Sequence, residues 1–164
     1  MQMHHRARST PGLIERAVQR YFLGRGVAGD QLAIRVEPRQ LGWIEKAFDT
    51  RIVVDKSEFV TPTHKVDCYK NRVALEVEWN NKDPFFDRGL NNFRLLFELR
   101  AIDAGVIITR CTELQQIFNQ LGRGASFGNS TTHMAKLLPR LDGGSGGGCP
   151  VVVIGIRGSC YVED

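Results

Sequence analysis

The chain has 164 residues, a mass of 18.4 kDa, a formal net charge of +4 and a pI near 9.0. Its 42% hydrophobic and 24% charged residues are typical of one globular domain, which we assign to residues 1–164. The longest apolar run, residues 151–156, is far shorter than the about 20 residues of a membrane span, and the four scattered cysteines lack zinc-site spacing. These features predict a cytoplasmic protein with reduced thiols and no membrane contact, whose charge is compatible with a polyanionic partner.

The first third of the chain is predicted to contain helices and strands in alternation. Residues 1–10 lack the apolar core of a secretory signal and are left out of the fold, as a disordered or cloning-derived segment. Apolar residues at helical spacing predict a helix over residues 11–23, and weak alternation predicts a strand over residues 31–37. A short helix over residues 40–48 and a strand over residues 51–55 follow.

Three acidic residues fall on a predicted β-hairpin over residues 63–79. Residues 72–80 alternate strictly, which is typical of a half-buried strand, and this puts Glu76 and Glu78 on one face. Asp67 precedes the turn, so the hairpin would bring it beside both glutamates. Such acids repel each other unless a cation or a proton lies between them, and three of them suit Mg²⁺. The alternative is an edge strand whose glutamates are merely solvated.

The rest of the chain is predicted to alternate helices with strands. The predicted elements are helices over residues 87–104, 112–121 and 130–138, a glycine-rich loop over 142–148, and strands over 106–109 and 150–156. Asp87, Thr112 and Ser130 are the candidate N-caps of the helices. This order is typical of an α/β fold. Whether the helix over 87–104 packs on the sheet or against a second subunit stays open.

The acidic residues resemble a known nuclease motif. Asp67, Glu76 and Glu78 are similar to the Asp…Glu-x-(Lys/Gln/Glu) motif of the PD-(D/E)XK nuclease superfamily. Position 66 is Val where the motif has Pro. The third position is Glu, where most members have Lys and BamHI-like enzymes have Glu.

The sequence around the motif resembles the BglII/BstYI family of type II restriction endonucleases. The similar strings are EVEWNNKDPF at residues 76–85, VIITR at 106–110 and STTHM at 130–134, and the resemblance spans about residues 65–156. It implies a mixed β-sheet flanked by helices, the restriction-endonuclease-like core. It also implies hydrolysis of phosphodiester bonds in double-stranded DNA at a short palindromic site, with the GATC core that family members share.

Hydrolysis of a phosphodiester requires an attacking water and neutralisation of charge at phosphorus, which a bound Mg²⁺ supplies in part. We assign Asp67 and Glu76 as metal ligands. Glu78 is assigned either as the general base or as a group that supports the ligands. Glu45, on the predicted helix over residues 40–48, is a weaker candidate for a further acid.

The candidate DNA contacts are polar residues in two segments. They are Asn80, Asn81, Lys82, Asn129, Ser130, Thr131, Thr132 and His133. Asparagine suits bidentate contact with adenine, and a helix that begins at Ser130 would offer free amides to phosphate. The alternatives are that Asn80 and Asn81 only shape a turn, that Ser130 only caps a helix, and that Lys70 and Lys82 are simply solvated.

A palindromic site requires a two-fold symmetric reader, so a homodimer is predicted, with a companion DNA methyltransferase in the host. Two other functions remain open. One is a structure-specific or repair nuclease on the same core. The other is a non-catalytic DNA-binding module.

Overall fold

The computed structural model describes residues 42–82 and 84–160, without the side chains of residues 61 and 62. The predicted helix over 11–23 and strand over 31–37 lie outside the described residues. The elements in chain order are β1 (Ile44–Lys46), β2 (Asp49–Val54), β3 (Ser57–Pro62), β4 (Val66–Lys70), β5 (Val73–Glu78), α1 (Pro84–Glu98), β6 (Ala104–Arg110), α2 (Leu114–Gln120), α3 (Met134–Asp142), β7 (Val151–Ile156) and a 3₁₀ turn (Gly158–Cys160). Within the described ranges, no helix is long and apolar enough to cross a membrane.

The main sheet has five strands in the order β1-β4-β5-β6-β7. Strands β1, β4 and β5 pair antiparallel, whereas β5, β6 and β7 pair parallel. The β4–β5 hairpin turns through Asn71 and Arg72, whose positive φ angles of 48° and 63° suit the tight turns that match the twist of paired strands. This mixed sheet with flanking helices confirms the predicted restriction-endonuclease-like α/β fold.

Apolar side chains cover both faces of the central strands. Helix α1 covers one face because its apolar residues recur at helical spacing. The buried residues of this layer include Val66, Ala74, Phe86, Leu90, Phe93, Leu96, Ile107 and Leu137. The opposite layer, partly covered by α2, buries Trp43, Leu75, Val106, Ile108, Leu114 and Ile156. Gly105 on β6 lies in contact with the ring of Phe93, and a Cβ there would overlap the ring.

The position of β5 decides between the two interpretations of its glutamates. β5 pairs with β4 on one side and β6 on the other, so it is not an edge strand. Glu76 and Glu78 are each only 4% exposed. The alternative of a solvated outer face is therefore excluded.

Two predicted helices before β6 were wrong in type or extent. The predicted helix over residues 40–48 contains strand β1, because Ile44 and Lys46 pair with β4 and that pairing overrides local spacing. The predicted helix over 87–104 is α1, which begins earlier, at Pro84, and ends at Glu98. Asp87 therefore lies inside the first turn and is not an N-cap. Arg100, with a positive φ of 55°, lies in the turn that follows.

The later predicted helices also differ from the structure. Helix α2 covers Leu114–Gln120, and its N-cap is Glu113 rather than Thr112. Helix α3 covers Met134–Asp142 with His133 as N-cap, so Ser130 does not cap it. The reason is that residues 131 and 132 pair with the chain that leaves β5, which holds them extended. The strands predicted over 106–109 and 150–156 are confirmed as β6 and β7.

Strands β2 and β3 form a separate two-stranded antiparallel sheet. The strand predicted over 51–55 is confirmed as β2, whereas β3 was missed. The turn between them places Asp55 at a positive φ of 54°, a position that Asp tolerates better than most residues. The sequence indicates this hairpin turn only weakly, because Asp55 is not followed by the glycine that is typical of such turns.

Candidate active site

The hairpin and the central strand bring the three predicted acids together. Cys68 pairs with Leu75, so the next pair along the same antiparallel register is Asp67 and Glu76. The Asp67 carboxylate (Oδ2) accepts a hydrogen bond from the backbone N–H of Val77 at 2.9 Å. Asp67 is exposed, whereas Glu76 and Glu78 lie buried beneath it. The acids thus occupy the end of β5 and its neighbour on β4.

Both buried glutamates have raised pKa values. Burial, and to a smaller extent the charges of Asp67 and Glu78, raise the pKa of Glu76 to about 9. Burial likewise raises the pKa of Glu78 to about 7. Within residues 42–82 and 84–160, the Oε1 atom of Glu76 has no hydrogen-bond partner. A buried, unpartnered carboxylate oxygen is costly unless a cation or a proton approaches it.

These residues fit a hard divalent cation. Their donors are all carboxylate oxygens, the type that Mg²⁺ prefers, and Glu76 Oε1 is free of other bonds within the described residues. In that same part of the chain, no group of three or more His, Cys, Asp or Glu side chains is arranged to hold a metal ion in this conformation. As placed among the described residues, a cation would be held by at most two of these side chains, which would leave positions for water and phosphate.

Asn81 fixes the orientation of Glu78. Its side-chain amide (Nδ2) donates to Glu78 Oε2 at 2.7 Å, and this hydrogen bond opposes the rise in the pKa of Glu78. The distance is short, as expected for a bond to a charged acceptor. The amide therefore favours the ionised form of the carboxyl.

Helix α1 contributes two neighbours that sequence reasoning missed. The charge of Arg88 lowers the pKa values of both Glu78 and His64, so its guanidinium lies close to the acids. Burial is the larger cause of the lowered pKa of His64, and Asp67 opposes it. Asn92 holds the segment before β4 by donating to the backbone carbonyl of His64 at 2.9 Å. The sequence does offer a hint of their proximity. Arg88 and Asn92 are four residues apart in a predicted helix, so they lie on the same side of α1.

The two segments with predicted DNA contacts lie side by side. Lys82 and Thr131 form an antiparallel bridge, and the N–H of Thr132 donates to the carbonyl of Asn81 at 2.8 Å. The Lys82 ammonium donates to the hydroxyl of Ser130 at 3.2 Å. The two segments therefore form one continuous surface at the end of β5.

The predicted DNA contacts differ in their exposure. The exposed ones are Asn80, Lys82, Asn129 and Ser130, Asn81 is half-buried, and the buried ones are Thr131, Thr132 and His133. The Thr131 hydroxyl already donates to Gly128 O at 2.8 Å. In this conformation, the three buried residues therefore lie beneath the exposed surface and do not form part of it.

Two other predicted candidates, Glu45 and Lys70, lie at different distances from the acids. Glu45 is on β1 and forms an ion pair with Lys65, with 2.9 Å between Oε2 and Nζ. Lys70 pairs with Val73, at the opposite end of β5 from Glu78. Lys70 is therefore remote from the site, whereas Glu45 lies between Ile44 and Lys46, which pair with Tyr69 and Val66 on either side of Asp67.

The mixed five-stranded sheet with its flanking helices has the architecture of a restriction-endonuclease-like nuclease domain. The family model described as restriction endonuclease BglII/BglIII matches residues 31–156 of the chain. The chain belongs to this restriction endonuclease family, which confirms the resemblance stated from its sequence. Membership makes it a nuclease, a hydrolase that binds double-stranded DNA. A comparison with curated proteins finds no match.

Proposed function

We propose that this protein is a type II restriction endonuclease that uses Mg²⁺ to cut double-stranded DNA at a short palindromic site, with GATC as the candidate core. The observation that carries the proposal is the convergence of Asp67, Glu76 and Glu78, with Glu76 Oε1 buried and unpartnered among the described residues. Membership of the BglII family supports the same activity. The whole chain acts as one nuclease domain in this proposal.

Each acid has a distinct role. Asp67 and Glu76 hold the metal, since one is exposed at the rim and the other offers its free oxygen. When bound, Mg²⁺ lowers the pKa of its water and neutralises charge on the phosphate. Glu78 accepts a proton from the attacking water. Its pKa of about 7 in the metal-free protein is near the optimum for a general base at neutral pH.

The DNA-contacting surface lies beside the acids. Lys82 and Ser130 are exposed, and Lys82 Nζ donates to Ser130 Oγ at 3.2 Å, so a phosphate oxygen can replace the hydroxyl as the acceptor of the ammonium group. Asn80 and Asn129 are exposed on the same surface and offer the amide groups that suit adenine. Thr131, Thr132 and His133 reach DNA in this proposal only if their segment moves outward on binding.

A palindromic site implies a homodimer in which each subunit cuts one strand. It also implies a companion methyltransferase that protects host DNA, and therefore an enzyme that acts in the cytoplasm where that DNA lies.

The test is digestion of unmethylated phage DNA by the purified protein with Mg²⁺, followed by sequencing of the fragment ends. We expect a fixed set of fragments with common ends, none of which form in EDTA or with the Asp67→Asn variant. Cutting only at nicks or flaps would indicate a repair nuclease instead. Retarded DNA that is never cut would indicate a binding module.

A further inference from the structure

Arg110 is the last residue of β6 and is buried, with 1% of its surface exposed. In the described part of the chain, no carboxylate lies within ion-pair distance of it, and its Nε has no hydrogen-bond partner. A buried guanidinium without a counter-charge costs stability, and burial correspondingly lowers its pKa. A position that only had to fill the core would be better served by an apolar side chain.

Within the described residues, the side-chain hydrogen bonds of Arg110 go mainly to one loop, apart from a long contact of 3.5 Å from Nη1 to Gln115 Oε1 on α2. Arg110 Nη2 donates to Phe127 O at 2.7 Å and to Thr131 Oγ1 at 2.9 Å, with a longer contact of 3.4 Å to Gly128 O. The planar fork of a guanidinium fixes the direction of such bonds better than an ammonium does. Arg110 therefore anchors residues 127–131 to the end of the sheet.

That loop is joined directly to the chain that leaves β5. Thr131 bridges Lys82, the amide of Thr132 bonds to Asn81 O, and the Asn81 side chain bonds to Glu78 at 2.7 Å. A continuous set of hydrogen bonds thus runs from Arg110 to the candidate general base. Two parts of the site that are 48 residues apart in sequence, Lys82 and Ser130, are held together by it.

We propose that Arg110 is a positioning residue that holds residues 127–132 against residues 80–82, and so couples site recognition to the alignment of Glu78. The inference rests on the proposed function for its effect on DNA. Its local part, the anchoring of residues 127–132, holds for the free protein. A solely structural role predicts a loss of stability with no change in site discrimination.

The test compares full-length Arg110→Lys and Thr131→Val with wild type. Arg110→Lys keeps the charge but loses the fork, whereas Thr131→Val removes the hydroxyl that accepts from Arg110. Arg72→Lys is the matched control, because Arg72 makes a bidentate bond to Asp103 (2.8 and 2.7 Å) on an exposed surface at the other end of the hairpin. Thr131→Ser keeps the hydroxyl and serves as the rescue variant for amide exchange.

Two readouts are needed. The first is hydrogen exchange of the Thr132 amide in the free, metal-free protein, which we expect to accelerate about tenfold in Arg110→Lys and Thr131→Val but not in Thr131→Ser or Arg72→Lys. The second is the ratio of kcat/KM at the preferred DNA site to that at sites with one changed base pair. We expect this ratio to fall about tenfold in the first two variants only, which is the size of one lost hydrogen bond.

Each outcome decides the question. Unchanged exchange of the Thr132 amide in Thr131→Val would overturn the proposal, even if Arg110→Lys failed to fold. Faster exchange with unchanged discrimination would reduce Arg110 to a structural anchor. If the wild-type protein cut no DNA, the proposed function would fail, while the exchange readout would still decide whether Arg110 holds residues 127–132.

Discussion

Replacement of Glu76 by glutamine should stabilise the metal-free protein at alkaline pH, although it removes a group from the candidate active site. The pKa of Glu76 is raised from 4.5 to about 9 in the fold. The unfolded chain ionises this carboxyl above about pH 4.5, whereas the folded protein resists ionisation until about pH 9. The folded protein therefore binds more protons across this window, and its stability falls as pH rises through it.

The size of the effect follows from the shift. Each pH unit inside the window removes about 1.4 kcal/mol, so at pH 8 the upper limit is about 5 kcal/mol. Water entry and structural relaxation near Asp67 reduce this loss of stability, so we expect the variant to be about 2–3 kcal/mol more stable than wild type at pH 8. For a chain of this size that corresponds to a change in Tm of about 5–10 °C. Glutamine carries no charge, so the variant avoids this loss.

The assay is thermal unfolding followed by circular dichroism from pH 6 to pH 9, in EDTA and in Mg²⁺. The wild-type Tm in EDTA should fall with pH and recover when Mg²⁺ is added, whereas Glu76→Gln should show a flatter profile and little response to metal. Glu58→Gln is the control, because Glu58 is exposed and forms an ion pair with Arg51 on the separate β2–β3 sheet. An equal response of both proteins to Mg²⁺, or a Glu76→Gln variant no more stable than wild type in EDTA at pH 8.5, would refute the reasoning.

Three further outcomes are expected. Asp67→Asn should reduce the rate of cleavage far more than tenfold, while DNA binding in a gel-shift assay survives. A cleavage rate within tenfold of wild type, which corresponds to a barrier change of about 1.4 kcal/mol, would exclude Asp67 as a metal ligand. Asn81→Ala removes the hydrogen bond that lowers the pKa of Glu78. The acidic limb of the single-turnover pH–rate profile should therefore move to higher pH. A profile that does not move would argue against Glu78 as the general base. Phe93→Ala should cost about 3–5 kcal/mol in urea unfolding because Phe93 is fully buried, and a cost under 1 kcal/mol would contradict the packing of α1 on the sheet.

Sequence reasoning succeeded where a local pattern and the tertiary structure agree. Strict alternation over residues 72–80 marked β5, and the short interval back to Asp67 predicted the hairpin. The continuous apolar run over 106–109 marked a strand covered on both faces, which β6 is. In each case, the residues that define the strand period are also those that fill the core.

The rest depended on contacts that no short window contains. β1 is only three residues long, too short to show a period, and exists because β4 offers it hydrogen bonds. The start of α3 was misplaced because the favourable capping chemistry of Ser130 yields to pairing of Thr131 with Lys82. Arg110 belongs to a string that resembles the family, but no local pattern predicts its contacts, which depend on burial and on a loop 17 residues further along the chain.

The close contact between Gly105 and Phe93 restricts which residues position 105 can accept. Any side chain at position 105 would displace the Phe93 ring and tilt α1 away from the strands. Arg88 lies on the same helix, so a methyl group at position 105 would also shift the guanidinium whose charge acts on Glu78 in the proposed active site. A library randomised at position 105 and selected for DNA cutting should therefore return glycine, even though the position never meets the substrate.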